Sequence, residues 1–320
     1  MKISVIIPAY NAEQYIAKAI ESCLEQTIPP DEIIVADDCS TDRTAEIAAG
    51  FPAPVRLLRL EKNSGVPVAR NRAVEASTGD WLAFLDADDW FLPRKLELQR
   101  RCIAENPNAV VVYCKVRMQF ADGTERDCVF VPPEAICWWL RYACPPIVSA
   151  AMVRRDAFES VGKWSPEHRS AEDWDLWLKV AERYPSAAFA AVPETLTMYR
   201  QVSGSLSADK LRIFKEENIP LIETRSLYRT AGLKRLLLRR KILAYHYFDM
   251  ATILREQGSD QYFSHILTSL ALWPLPFPRV MLPLKRYKFA AVMLAQHLGW
   301  WPNAFRSGNQ VPIGHHNHGG

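Results

Sequence analysis

Residues 81–89 have the sequence WLAFLDADD, in which five apolar residues are followed by Asp-Ala-Asp-Asp. The apolar part predicts a short strand that is covered on both faces, because no polar side chain alternates along it. Alternate side chains of an extended backbone lie on the same side, so Asp86 and Asp88 would project together. The stretch therefore predicts a buried strand whose carboxyl end carries an acidic group.

Three more strands and three helices are predicted before this strand. The strands fall at residues 3–7, 32–36 and 55–60, and the helices at 11–26, 40–49 and 67–77. We expect Pro8 to end the first strand and Asn11 to cap the first helix, with Gln14 as its reciprocal partner. Short apolar strands that alternate with helices predict an α/β fold, with a mostly parallel central sheet and helices on both faces.

The rest of the chain has a different order of elements. Strands are predicted at 110–118 and 126–131 around an Asp122-Gly123 turn, then a helix near 172–184 and a strand-like stretch at 187–200. Beyond residue 207 helical patterns predominate, with basic clusters at 234–235, 239–241 and 285–286. We therefore expect three parts, namely an α/β domain over 1–207, a helical C-terminal region over 208–310 and a disordered tail over 311–320.

The composition argues against several classes of protein. A net charge of +3 over 320 residues lacks the concentrated basic face of a dedicated nucleic-acid-binding protein. Seven cysteines with no C-x-x-C pair are typical of reduced thiols in a cytoplasmic protein. The first apolar run is too short for an export signal. We expect a cytoplasmic protein that does not bind nucleic acid.

The most apolar window, residues 266–284, does not fit a membrane-spanning helix. It contains Arg279 and several prolines, which a regular helix of about 20 apolar residues would exclude. Its interleaved Arg, Lys, Trp and Leu residues are typical of a helix that lies on a membrane surface. Two interpretations of 208–310 fit equally well: peripheral contact with the cytoplasmic face of the membrane, or a helical bundle with a solvated basic face.

Polar groups are predicted at the carboxyl ends of three of the first four strands. The first strand is followed by Pro8–Asn11, the second by Asp37 and Asp38, and the fourth by Asp86–Asp89. Ligands of open parallel sheets bind at this edge. Carboxylates gathered there repel one another unless a cation lies among them, and Mg²⁺ or Mn²⁺ bridging to a phosphate would remove the repulsion.

Two other interpretations of these acidic residues remain open at this point. Acidic residues after a strand can simply cap the next helix. Receiver domains also collect aspartates at strand ends to bind Mg²⁺ and accept a phosphoryl group, but they are expected to carry the acidic pair after the first strand. Because the first strand here ends in Pro-Ala-Tyr-Asn, the receiver interpretation is disfavoured.

Four segments together resemble the family 2 inverting glycosyltransferases of the GT-A fold. They are SVIIPAYN at 4–11, IVADDCSTD at 34–42, NSGVPVARN at 63–71 and FLDADD at 84–89. The segments follow the family's order and spacing, and the resemblance covers residues 1–207. It implies a Rossmann-like GT-A domain, a nucleotide-diphosphate sugar as donor, by family habit a UDP-sugar, and Mn²⁺ or Mg²⁺ as cofactor. The acceptor would be a hydroxyl of a glycan or of a lipid-linked molecule in cell-surface polysaccharide or glycolipid synthesis.

The resemblance also implies roles for individual residues of the donor site. Tyr10 would stack on the nucleotide base, Asp37 would accept a hydrogen bond from uracil, and Asp38 would support that loop. Asp86 and Asp88 would hold the ribose and the metal, with Asp88 as the metal ligand. The implied donor-binding residues are Pro8, Ala9, Tyr10, Asn11, Asp37, Asp38, Asn63, Arg70, Asp86, Ala87, Asp88 and Arg200. Arg70 would offer its positive charge to the donor.

The segment SAEDWDLW at 170–177 is similar to the family's Glu-Asp motif at a helix start, in which the aspartate is the catalytic base. Asp173 is the matching position. A helix N-terminus stabilises the carboxylate and weakens it as a base, whereas Leu176 and Trp177 on the same helical face would desolvate it and raise its pKa. The sequence leaves this balance open. Without the upstream motifs, Glu172 and Asp173 would be ordinary acidic residues of a first helical turn.

Contacts to the acceptor and to the diphosphate are less well defined. Glu172 and Trp174 are the candidate contacts to the acceptor. An aromatic face suits the apolar face of a sugar, which favours Trp174, and packing in the core is the alternative interpretation for the tryptophans. Residues 199–207 resemble the segment that closes over the donor in many family members, which often carry histidine where Val202 lies. Arg200 and the serines are then the candidate diphosphate contacts.

A sugar nucleotidyltransferase and a catalytically inactive nucleotide- or glycan-binding module are the alternative functions.

Overall fold

The computed structural model describes residues 1–145, 147–168, 170–201 and 210–275, together with positions 287 and 291. The chain divides into two compact units, Met1–Ala208 and Asp209–Gly320. The first unit is built around one sheet, and the described part of the second unit is helical.

The first unit alternates strands and helices along its N-terminal half. Its strands are β1 (Ile3–Ala9), β2 (Glu32–Asp37), β3 (Val55–Arg59), β4 (Trp81–Phe84), β5 (Trp90–Phe91), β6 (Val111–Gln119), β7 (Glu125–Asp127), β8 (Met152–Arg154) and β9 (Phe189–Arg200). Its helices are α1 (Ile16–Leu24), α2 (Thr44–Ala49), α3 (Val66–Glu75), α4 (Lys95–Glu105), α5 (Pro133–Trp139), α6 (Arg155–Ser160) and α7 (Glu172–Arg183).

The strands of the described chain form a single sheet in the order β3-β2-β1-β4-β8-β6-β9-β5, with β7 paired to β6. The first four strands are parallel neighbours, β8 is antiparallel to both β4 and β6, and β6 is parallel to β9. The sheet thus has a parallel half that continues into a mixed half. This confirms the predicted α/β class and the mixed extension.

The core lies on both faces of the parallel half. Every residue of β1, β2 and β4 is buried, which is the reason that these strands are mostly apolar and do not alternate between polar and apolar residues. Helix α1 buries one face, with Ile16, Ile20 and Cys23, in the same apolar cluster as Ile7 and Val35 of the sheet. Because the sheet is covered, the open ends of the strands are where polar groups can meet a ligand.

The first strand and first helix differ from the sequence prediction. Pro8 lies inside β1 and pairs with Ala36. Asp38 N donates to Ala9 O, so the polar groups of Ala9 point to β2 and the nitrogen of Pro8 points to the β4 side, where the pairing of β1 has ended at Ile6. Proline is tolerated because this nitrogen has no ladder partner to lose.

Asn11 does not cap α1, which begins only at Ile16. Its backbone is left-handed, with φ 49°, and its side-chain oxygen accepts from Thr41 N at 2.9 Å. Ser40 Oγ in turn accepts from Asn11 N at 2.9 Å. Since residues 40–43 are occupied in this cross-connection, α2 begins at Thr44 and not at Ser40.

The Asp122-Gly123 turn is present between β6 and β7, but β7 is shorter than predicted.

The second unit is a group of helices. They are α8 (Lys210–Ile213), which continues as a π-helical stretch (Phe214–Asn218), α9 (Ile219–Thr224), α10 (Gly232–Glu256) and α11 (Tyr262–Leu272). Phe214, Met250 and Leu254 form a buried cluster, and Ser269 Oγ donates to Ala244 O at 2.6 Å between α11 and α10. This confirms the predicted helical C-terminal region.

Among the helices that the structure describes, none combines the length and the apolar character needed to cross a membrane. Residues 276–284 of the predicted surface window and the predicted tail over 311–320 lie outside the described residues.

A buried hydrogen-bond network ties β1, β2 and β4 together at their amino ends. Ser4 Oγ donates to Glu32 Oε1 at 2.7 Å and accepts from Gly79 N at 2.8 Å. Gly79 lies two residues before the start of β4, and a Cβ atom on it would lie 2.5 Å from Ser4 N. Glycine is therefore required here so that the chain entering β4 can approach β1 closely.

We expect Gly79→Ala to lower the free energy of unfolding by about 1–3 kcal/mol, because the added methyl overlaps a backbone atom in a packed sheet. The measurement is urea denaturation. Gly50→Ala is the matched control, since Gly50 has φ −74° at the end of α2 and its change should stay within about 1 kcal/mol. Equal stabilities of the two variants would contradict this account of Gly79.

Candidate functional site

The carboxyl ends of β1, β2 and β4 lie side by side. Ala9 pairs with Asp37 at the last position of the β1–β2 ladder, and Leu85 N, just after β4, donates to Ile6 O of β1. The polar residues that follow these three strands therefore share one edge of the sheet, as the sequence analysis expects. This edge is the candidate site.

Tyr10 and Asp37 lie at the β1–β2 side of the edge, with different exposure. The Tyr10 side chain is 48% exposed and its ring is open to a ligand. The Asp37 carboxylate is fully buried, 3.3 Å from Arg59 Nε, and accepts from Ser40 N. The Arg59 side chain that lies against this carboxylate is itself largely exposed.

Asp38 fastens the loop before α3. Its two carboxylate oxygens accept from Ser64 N at 2.8 Å and from Gly65 N at 2.7 Å. Gly65 has φ 89°, a left-handed conformation that glycine adopts without strain. Asn63, the preceding loop residue, is exposed at the edge. The loop thus has a fixed backbone and a free side chain beside the candidate site.

The three carboxylates of the Asp-Ala-Asp-Asp stretch have separate environments. Asp89 is fully buried and accepts from Ser149 Oγ at 2.6 Å and from Arg200 N at 2.9 Å. Its pKa is raised well above the usual value by burial and by the nearby charges of Asp86 and Asp88. Asp89 therefore connects the sheet edge to Ser149 and to the end of β9, and only Asp86 and Asp88 face the site.

Asp88, one of the carboxylates that face the site, has a raised pKa. Burial and, next, the charge of Asp86 raise the pKa of Asp88 to about 6. In the described part of the chain no three His, Cys, Asp or Glu residues are grouped as a metal site. The oxygens of Asp86 and Asp88 suit Mg²⁺ or Mn²⁺, but a full coordination shell would need oxygens from a bound phosphate and from water. The residues fit a cation that binds together with a phosphorylated ligand.

Arg70 is buried under this edge rather than exposed on it. Its Nη2 donates to Asp86 Oδ1 at 2.6 Å and its Nη1 donates to Glu172 Oε1 at 2.8 Å. The guanidinium stacks on the Trp164 ring, with its carbon 4.8 Å from the ring centroid. The positive charge that the sequence analysis assigned to the donor is therefore shared between two protein carboxylates.

Asp173 lies in the first turn of α7, where the sequence analysis left its acidity open. Burial raises the pKa of Asp173, and this effect exceeds the opposing hydrogen bond from Trp174 N at 2.7 Å, the charge of Arg70 and the hydrogen bond with the Cys144 side chain. Taken as a whole residue, Asp173 is only partly buried. Asp173 therefore has a raised pKa, as a general base needs.

The two candidate acceptor contacts beside Asp173 are both buried. Burial raises the pKa of Glu172 to about 7, although Arg70 opposes the rise. Trp174 is 3% exposed, and its Nε1 donates to Leu140 O at 2.6 Å. The rings of Trp164 and Trp177 are also in the core. In this structure these indoles fill the protein interior, where their faces cannot stack on a sugar.

Arg200, at the end of β9, is held against the acidic stretch. Its Nε donates to Asp88 O at 3.1 Å, and its guanidinium lies over the rings of Tyr15 and Trp90 at 5.0 and 4.9 Å. Ser149, which also accepts from Asp86 N at 3.1 Å, belongs to the same group but was not found by sequence reasoning, because no motif surrounds it. Val202 and the serines of 203–207 lie outside the described residues.

Comparison with known proteins identifies relatives of this chain. A model of the family described as Glycosyl transferase family 2 matches residues 4–162. The putative teichuronic acid biosynthesis glycosyltransferase TuaG of Bacillus subtilis is 32% identical over 219 residues, which are 67% of this chain and 84% of that protein. The family model covers the four motifs between residues 4 and 89 and the sheet edge that they form. Glu172, Asp173 and Arg200 lie beyond the end of the family-model match.

Two groups of solved structures share the fold. S. aureus TarS 1–349 in complex with UDP-GlcNAc has a TM-score of 0.63 at 19% identity, over 94% of this chain and 93% of that chain. The mannosyltransferase PcManGT of Pyrobaculum calidifontis, in complex with GDP-Man and Mn²⁺, has a TM-score of 0.52 at 20% identity, over 95% of this chain and 76% of that chain. These likenesses confirm the predicted GT-A architecture.

Removal of the Asp38 carboxylate is expected to release the loop before α3. In Asp38→Ala the amides of Ser64 and Gly65 lose both acceptors, so their hydrogen-exchange protection should disappear and the free energy of unfolding should fall by about 1–3 kcal/mol. Asp38→Asn keeps one acceptor oxygen and should be intermediate. Unchanged protection of both amides in Asp38→Ala would contradict the assignment.

Proposed function

The chain belongs to glycosyl transferase family 2, and we propose that it moves a hexose-type sugar, with inversion, from a UDP-sugar to a hydroxyl of a glycan or lipid-linked acceptor. The observation that carries this proposal is the convergence of two groups at one sheet edge. Asp86 and Asp88 supply carboxylates for a donor, and Asp173, with its raised pKa, is connected to them through Glu172 and Arg70.

The donor would bind along the β1–β2–β4 edge. Tyr10 offers an exposed ring to the base, the backbone of Pro8–Asn11 lines it, and Asn63 approaches from the loop that Asp38 holds. Asp37 would meet uracil, and Ala87 would lie next to the ribose contact, Asp86. The UDP-GlcNAc complex of TarS, which shares the fold, supports uridine as the nucleoside.

The diphosphate would be bound beside Asp88. This carboxylate would hold Mn²⁺ or Mg²⁺ together with phosphate oxygens, and when bound the cation would stabilise the negative charge of the leaving nucleoside diphosphate. The Mn²⁺ and GDP-Man complex of the archaeal mannosyltransferase supports a divalent cation here. Arg200, which already donates to Asp88 O, would contribute a second positive charge to the phosphates.

Asp173 would act as the general base. It would accept the proton of the acceptor hydroxyl while that oxygen forms a bond to the anomeric carbon, and the bond from this carbon to the diphosphate oxygen would break on the opposite face. A carboxylate with an ordinary low pKa would be a weak acceptor of this proton. The burial that raises the pKa of Asp173 therefore suits the role.

The biological setting is inferred from the relative and from the thiols. The name of TuaG supports a reaction in cell-surface polysaccharide synthesis. The chain has seven cysteines and no C-x-x-C pair, a pattern typical of reduced thiols, so we place the reaction on the cytoplasmic side. The acceptor would then be at or near the membrane, and the C-terminal region over 208–310 would make a peripheral contact with it.

The first half of α10 offers a surface for such a contact. Leu233, Leu236 and Leu237 share one helical face with Arg240 and are 70%, 51% and 45% exposed. Residues 232–241 contain five Lys or Arg residues and no acidic residue. Apolar side chains flanked by cations fit an anionic lipid surface, whereas a twofold contact with a second copy would place the same cations against each other.

We expect Asp173→Asn to lower kcat for sugar transfer by about 10²-fold or more while UDP binding stays within a few-fold, because an amide cannot accept the acceptor's proton. Donor turnover with Mn²⁺ and UDP titration by calorimetry are the measurements. Glu182→Gln, at an exposed position of the same helix, should keep wild-type kinetics.

The pH dependence gives a second measure of the same base. Activity requires ionised Asp173, so kcat/KM should fall as pH decreases through its pKa, which burial raises above the value of about 3.9 for an ordinary aspartate. Unchanged turnover in Asp173→Asn would eliminate this residue as the base. Wild-type protein that binds UDP but turns over no nucleotide sugar would indicate an inactive binding module.

The α10 surface predicts binding to vesicles that contain anionic lipid and not to purely zwitterionic vesicles, with a loss at high salt. The triple change Leu233→Glu, Leu236→Glu, Leu237→Glu should abolish flotation, since it places carboxylates on the contact face. Ile28→Glu is the control, because Ile28 is a similarly exposed apolar residue of the first unit. Flotation of the triple variant equal to that of wild type would refute the contact.

A further inference from the structure

Arg70 contacts three separate segments of the first unit. It lies on α3, one terminal nitrogen donates to Asp86 after β4, and the other donates to Glu172 at the start of α7. The two partners are 16 and 102 residues away in sequence. Glu172 directly precedes Asp173, so the chain that carries the proposed base is attached to the donor-side carboxylate through one guanidinium.

Two hydrogen bonds to carboxylates and the stacking on the Trp164 ring hold this guanidinium in place. Arg70 is 2% exposed, and within the described part of the chain its Nε makes no hydrogen bond. Below it, the backbone of Trp164 is held by a reciprocal pair, in which Asn71 Nδ2 donates to Trp164 O at 2.9 Å and Trp164 N donates to Asn71 Oδ1 at 3.2 Å. The indole is thus a fixed platform, and the two carboxylates set how the guanidinium lies on it.

A buried arginine whose two terminal nitrogens both donate to protein carboxylates is a poor ligand for a phosphate. A donor phosphate could reach the buried guanidinium only by displacing one of its two carboxylates, and displacement of Glu172 would leave a largely buried carboxylate unpaired. The fork geometry of arginine, in contrast, suits the holding of two carboxylates at a set separation, which the point charge of lysine cannot do.

We propose that Arg70 is a positioning residue that sets the separation between the donor-side carboxylate Asp86 and the base Asp173, by holding Glu172. This inference rests on the proposed function. The positive charge of Arg70 also favours the ionised form of Asp173. Arg70 would therefore act on catalysis through the geometry and protonation of the base and not through contact with the donor.

The test compares Arg70→Lys, Arg70→Met, Glu172→Gln and the double variant Arg70→Met/Glu172→Gln, with Arg72→Lys as the matched control. Arg72 lies on the same helix in an exposed pair with Glu75, and its variant should behave as wild type. The readouts are kcat, donor KM, UDP affinity, the acid limb of the pH profile and the melting temperature.

We expect Arg70→Lys to lower kcat by about 10²-fold, the loss that a 1 Å misplacement of a catalytic group can cause, with UDP affinity within a few-fold of wild type. Because the retained charge still faces Asp173, the acid limb should move little. In Arg70→Met the positive charge is lost while Glu172 stays, so the limb should move to higher pH. The losses in kcat should be less than additive, because Arg70 and Glu172 act as one unit.

Each contrary result has its own meaning. Arg70→Lys with wild-type kcat and only a lower melting temperature would show a purely structural role and overturn the inference. A rise in donor KM and UDP dissociation constant, additive with Glu172→Gln, would show direct contact with the donor and also overturn it. Wild-type protein without turnover of any nucleotide sugar would refute the proposed function, and the inference with it.

Discussion

The site depends on one buried interaction, the guanidinium of Arg70 between the carboxylates of Asp86 and Glu172. A buried charge is strongly unfavourable without partners, and each partner here is supplied by a different segment. The chain after β4, helix α3 and the start of α7 must therefore meet around this group if any of them is to bury its charge. The guanidinium also lies over the Trp164 ring, and the loop that Asp38 fastens leads into helix α3, which carries Arg70. A cation inside the protein thus fixes the separation between the donor edge and the proposed base.

The acidic residues at this edge are stabilised in different ways, and the differences explain their different roles. Asp38 accepts two backbone amides, Asp37 faces Arg59, and Asp89 has a raised pKa and is hydrogen-bonded to Ser149. Asp88 is partly buried and has a raised pKa, and within the described residues no Arg or Lys side chain forms an ion pair with it. The charges of Arg200 and Arg70 act on it only from further away. A divalent cation that arrives with a phosphorylated donor would neutralise it, which is why the proposed metal dependence follows from the charge balance of the protein itself.

The sequence predicted the features that depend on local pattern. Apolar runs located the four parallel strands, and the residues after them located the edge, since strand ends converge in a parallel sheet. It did not predict features set by contacts between distant residues. Pro8 stays in its strand because its nitrogen faces the unpaired side, and Asn11 turns toward Thr41 instead of capping a helix. The partner of Arg70 is 102 residues away and Ser149 has no motif around it, so neither could be read from spacing. Tryptophans that suited a sugar by chemistry lie in the core, because burial of a large apolar surface outweighs a pattern of residue types.

The central claim is that this sheet edge binds the donor beside Asp88 and within reach of Asp173. A crystal structure of the chain with UDP and Mn²⁺ tests it most directly. The account predicts the uracil ring next to Tyr10, the diphosphate and the metal at Asp88, and the Arg70 guanidinium still bonded to Asp86 and Glu172. A nucleotide bound elsewhere, or a diphosphate bonded to Arg70 with Glu172 released, would contradict it.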